Sequence, residues 1–72
     1  MDVNVVRFME SERYDPMQDR DVVRFMGITS RGTFHVELPM HGPASLRTMR
    51  NAFKEQVIGM LEEGQAPREV SL

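Results

Sequence analysis

The residues of this 72-residue chain that invite a chemical reading are His35, Glu37 and His41. His35 and Glu37 stand two apart, so on a strand they point the same way, and His41 follows Pro39. Two imidazoles and a carboxylate are raw material for a metal site. Tetrahedral coordination, however, needs ligands that converge, and here Pro39 and Gly42 would have to bend the chain back on itself. No metal is expected. A serine triad would need Ser11, Ser30, Ser45 or Ser71 beside a histidine and an acid, and none sits on a strand–turn–helix elbow. Gly27, Gly32 and Gly42 are isolated and form no phosphate-cradling loop. The chain has no cysteine, which removes disulfides, thiolate zinc sites and a cysteine nucleophile. The expectation is a protein without catalysis and without a cofactor.

A second chemistry is anion binding. Arg47, Arg50 and Lys54 share one stripe of a helical segment, and Arg31 sits on a short turn. Cations near a helix N-terminus and Glu62 and Glu63 in its last turn oppose the macrodipole. Arg50 and Lys54 are also a like-charge pair one turn apart. Something must compensate: carboxylates elsewhere in the fold, or an external anion such as a nucleic-acid phosphate. The formal net charge of −2 and the absence of tryptophan argue against a general nucleic-acid binder. Accessory nucleic-acid or anion binding through Arg31, Arg47, Arg50 and Lys54 is therefore the alternative reading. A solvated basic face is the plainer one.

These residues must be positioned by a helix and a sheet. Leu46, Met49, Phe53, Val57, Met60 and Leu61 recur at helical spacing, predicting an amphipathic helix over about 44–63. Pro43 suits its first turn, Ser45 is a candidate cap, and Gly64 followed by Pro67 ends it. Strands are predicted over about 3–9, 22–29 and 33–38. Ser30-Arg31-Gly32 forms a hairpin turn, and residues 10–21 form a long polar loop around Asp15-Pro16. The first part of that loop, with Tyr14, is able to extend the strand. Residues 69–72 form a short edge strand or fray. The fold class expected is α+β: an antiparallel sheet of three to four strands with one helix packed on one face, in a single domain over 1–72.

The pentapeptide Val5-Val6-Arg7-Phe8-Met9 recurs unchanged as Val22-Val23-Arg24-Phe25-Met26. Two neighbouring strands with the same requirements explain it. Val6, Phe8, Val23, Phe25, Phe34, Val36 and Leu38 then form one apolar face for the helix to cover. The other face mixes aliphatic side chains with arginines, the character of an interface. Val5, Arg7, Met9, Val22, Arg24, Met26 and Ile28 are its interface candidates, unless the 10–21 loop folds over them. A domain this small buries only about 60% of its unfolded surface, which favours self-association. The expected function is a small protein-interaction module, an adaptor or accessory domain. Its expected partners are a second copy of the chain and an unidentified protein.

Seven methionines are many for this length. Met49 and Met60 fall on the helix stripe and are expected in the core rather than at a groove. No apolar run approaches membrane-spanning length and no leader pattern is seen, so no membrane partner and a cytoplasmic setting in bacteria or phage are expected.

Arg13-Tyr14-Asp15, Val23-Arg24-Phe25-Met26-Gly27, the Phe34-His35-Val36 strand and the closing helix resemble a family of small bacterial proteins catalogued only as a domain of unknown function. In that family an Arg-Phe-x-Gly element lies on a strand. A second strand follows, then a helix with a phenylalanine near its start, and a short hydrophobic stretch. The likeness spans about Arg13 to Leu72 in outline, with Arg24-Phe25-Met26-Gly27 as its motif. Here the chain is short between Leu38 and Phe53, and Met26 replaces the aromatic usual before the glycine. The resemblance implies a fold and no activity.

Overall fold

The computed structural model describes residues 6–40 and 42–72. Three strands, β1 (Arg7–Asp15), β2 (Arg20–Thr29) and β3 (Gly32–Pro39), precede one helix, α1 (Pro43–Glu62). The strands form an antiparallel meander in the order β1-β2-β3, and α1 lies over the central strand. This is the α+β architecture expected, with three strands proper. Of the first predicted strand, 3–5 fall outside the described residues, as do Val5 and His41.

The largest departure is at residues 10–21. They form the middle and end of β1, a tight turn and the start of β2. Asp15-Pro16 is the tip of a long hairpin rather than the middle of a loop. Asp15 pairs with Arg20 across Pro16-Met17-Gln18-Asp19. The Asp15 carboxylate accepts from the Met17 N–H at 3.0 Å, and Asp19 takes a positive φ of 52°, which Asp tolerates better than most residues. The strand predicted over about 3–9 thus runs on through Tyr14, as the first part of that loop allows. Its outer half shows no period-2 alternation because side chains from Glu10 onward are largely solvated on both faces. At the second turn Ser30 and Arg31 connect Thr29 to Gly32. The Thr29 hydroxyl donates to the Gly32 carbonyl and accepts from the Arg31 N–H, at 2.8 and 3.0 Å.

One face of the sheet meets the helix. Val23, Phe25, Phe34 and Val36 are buried against Phe53, Val57, Met60 and Leu61, with Val6, Phe8, Leu38, Leu46 and Met49 packed around them. The two phenylalanines of the repeated pentapeptide both grip Phe53: Phe25 stacks on it at 5.7 Å and Phe8 meets it edge-on at 6.2 Å. Gly27 leaves room for Val57, whose Cγ1 would stand 3.3 Å from an added Cβ.

The helix begins two residues before Ser45, with Gly42 at the cap position, Pro43 next, and no side-chain cap. Ser45 therefore lies inside the first turn, too late to cap it. The other end is a Schellman closure. Gly64 at φ 75° donates to the Leu61 carbonyl at 3.0 Å and Gln65 to that of Met60 at 2.9 Å. The chain then returns along β3. His35 donates to the Arg68 carbonyl at 3.2 Å and accepts from the Val70 N–H at 2.8 Å. The expected edge strand is thus a single parallel bridge, His35 with Glu69, which drops Val70 into the core at 2% exposure.

Candidate functional site

The strand register sorts every candidate. Directly opposed residues share a face, so Arg7-Ile28-Thr33, Met9-Met26-His35, Ser11-Arg24-Glu37 and Arg13-Val22-Pro39 form successive rows on the face away from the helix. Arg7 and Arg24 are exposed, Met9 is 41% exposed, and Met26 and Ile28 are half-buried. Val22 differs from these. It is 4% exposed yet stands apart from the core cluster, so its own outer-face neighbours cover it. Of the interface candidates, Val22 therefore offers a partner almost no surface.

The cover over Val22 is polar at its top. Arg13 reaches from β1 across β2 to Glu37 on β3, its Nε and Nη2 each donating to a carboxylate oxygen at 3.0 Å, while Arg24 stands 3.8 Å from the same carboxylate. Glu37 is thereby engaged by two arginines. The sequence gives no sign of this strap, because its ends are 24 residues apart.

On the helix side of β1, Arg50 donates from Nε and Nη2 to the two oxygens of Glu10 at 2.6 and 2.9 Å. Lys54 lies over the Phe8 ring, 5.5 Å from its centroid. The Arg50 hydrogen bonds hold the Glu10 carboxyl below its usual range, and the Lys54 charge adds to the effect. Within the basic stripe, Arg50 thus finds its compensating carboxylate inside the fold. Arg47 and Arg31 remain exposed: Arg31 sits at the β2–β3 turn, and Arg47 lies in the early turns of α1. A small cleft of about 180 Å³ opens beside Glu10 and Arg50, floored by Phe8, Phe25 and Phe53. A wider groove of about 680 Å³ between the end of α1 and the C-terminal segment is open and lined mainly by polar side chains.

The two sheet edges differ. β3 is partnered by the C-terminal segment at His35, whereas β1 has no neighbour on its open side among the described residues. Because His35 turns its N–H and C=O away from β2, strand alternation fixes every other residue. On β1 the backbone groups facing open solvent belong to Phe8, Glu10, Glu12 and Tyr14. Tyr14 is exposed and donates its hydroxyl to Asp19, which raises the phenol above its ordinary range. No helix among the described residues is long and apolar enough to cross a membrane, and no three metal-ligating side chains gather among them.

No protein family, curated protein or solved structure matches this chain.

Proposed function

We propose that this chain is a small non-catalytic protein-interaction module whose first partner is a second copy of itself. The observation that carries the reading is the nine-residue strand β1, an open edge bordered on the outer face by the uncovered row of Met9 and Met26. An unpaired edge is a template for another strand unless it is guarded, and natural guards are prolines, bulges, covering segments and charged side chains, lysine above all. β1 has no lysine and no proline, and its five charged side chains, Arg7, Glu10, Glu12, Arg13 and Asp15, are of both signs, so a second copy can pair with some of them. The hairpin also removes the one segment expected to cover the outer face.

Anion binding is less well supported, because Arg50 is engaged by Glu10 and Lys54 by Phe8. Light scattering on a size-exclusion column across a dilution series tests the main reading. A mass twice that of the chain, falling toward the monomer on dilution, is expected. A monomer at every concentration overturns self-association.

A further inference from the structure

We infer that two copies join β1 to β1 in antiparallel register about a two-fold axis through Ser11, merging two three-stranded sheets into one of six. The inference deepens the self-association reading and rests on it. Backbone geometry limits the registers. An antiparallel ladder opposes residues that both turn their N–H and C=O groups inward or both outward, and on β1 only Phe8, Glu10, Glu12 and Tyr14 face the open side. Even-numbered residues must therefore oppose even ones. The axis then passes through a residue, and both helices lie on the same side of the joined sheet.

Among these registers, the one centred on Ser11 is the only one that uses the whole strand, because Ser11 is the midpoint of Arg7–Asp15. It also matches the side chains. Arg7 meets Asp15 of the second copy, and Phe8 meets Tyr14, each pair occurring twice. Centring on Glu10 instead sets Arg7 against Arg13 and Glu10 against itself. Centring on Glu12 sets Glu12 against itself. The Ser11 register sets Glu12 of one copy directly opposite Glu10 of the other, also twice, a like-charge pair that needs a cation beside it. There Glu10, Arg50 and Lys54 together carry one net positive charge, and Glu12, which has no ion-pair partner among the described residues, balances it. Each copy contributes four outward N–H and four outward C=O groups, so eight backbone hydrogen bonds close the joint. The helices, each over its β2, stand three strand spacings apart, roughly 14 Å, which clears them of one another.

Ser11 opposes its own copy as a non-hydrogen-bonded pair, where the Cα atoms come within about 4.5 Å, inside the range a disulfide spans. The chain lacks cysteine, so Ser11→Cys introduces a single thiol. Under mild oxidation S11C is expected to crosslink into dimers, while M26C, at the middle of the outer face, stays monomeric on a denaturing gel. Ser11→Lys opposes two ammonium groups across the axis and is expected to weaken the dimer by about fivefold or more at low salt. Circular dichroism of S11K shows whether its strands remain folded, and the S11C crosslink stands independently of that variant. Dimers that resist S11K and crosslink through M26C overturn the strand joint but leave self-association in place. A monomeric wild-type chain whose S11C variant fails to crosslink overturns both.

Discussion

Arg13 on β1 and Glu37 on β3 bond to each other over the top of β2, two outer strands tied across the central one. Beneath that tie lies Val22, buried outside the main core. The stem of an arginine covers apolar surface while its head stays wet, so the strap acts through packing as well as charge. Arg13→Met keeps the stem and is expected to retain most of the thermal stability that Arg13→Ala loses. Equal losses in the two variants, measured by thermal melts at pH 7, would assign the effect to the ion pair alone.

Acid should destabilise the fold through Glu10. Its folded carboxyl titrates below the ordinary value of 4.5 because Arg50 bonds its charged form. A depressed carboxylate contributes stability that is fully present above the unfolded value and is lost as pH falls through the folded one. The melting temperature is expected to drop between about pH 5 and pH 3, more steeply in wild type than in Glu10→Gln. Parallel curves for the two proteins would place the acid sensitivity elsewhere.

Phe53 links the two copies of the repeated pentapeptide in the core. It is 1% exposed and touches both phenylalanines of the repeated pentapeptide. Truncation to alanine removes about 3–5 kcal/mol, a large share of what a domain of this size possesses. Phe53→Ala is expected to be largely unfolded at 25 °C by circular dichroism. Phe53→Leu should remain folded, with a lower urea midpoint.

Gly32 combines a φ of 135° with close contact to Pro67, whose Cγ would stand 3.1 Å from an added Cβ. Gly32→Ala should destabilise by more than about 1 kcal/mol, since both the backbone conformation and the contact resist it. Adding Pro67→Ala relieves only the contact, so the double variant is expected to recover part of the loss in a urea titration. Full recovery would mean that the backbone conformation contributes nothing.

The helix and the inner sheet face were legible because burial on one side imposes a period. Phe53, Val57, Met60 and Leu61 show one of 3.6, Phe34 and Val36 one of 2, and Gly64 marks an end that only a residue free at positive φ takes easily. The outer half of β1 was illegible for the converse reason. Glu10 to Tyr14 bury little on either face and leave no period to read. Long-range partners were hidden too: nothing near Arg50 in the chain points to Glu10, forty residues away, although the misplaced positive charge on the helix announced that some carboxylate or anion was needed. Val70 is the plainest miss. A single valine in a polar stretch has no repeat to betray it, yet it belongs to the same buried core cluster as Phe34 and Val57.

That valine also sets how the molecule breathes. The segment carrying it is held to β3 by two backbone hydrogen bonds that share one residue, His35. When the segment lifts, the amides of His35 and Val70 are both released to solvent, while the meander beneath keeps its own ladder. Opening of this kind needs far less free energy than unfolding the sheet. In deuterated buffer these two protons are expected to leave together, as one event, before those of Phe25 and its neighbours at the centre of β2. Joint exchange of the two would mark the C-terminal stretch as an opening unit of its own, closed onto a sheet that does not wait for it.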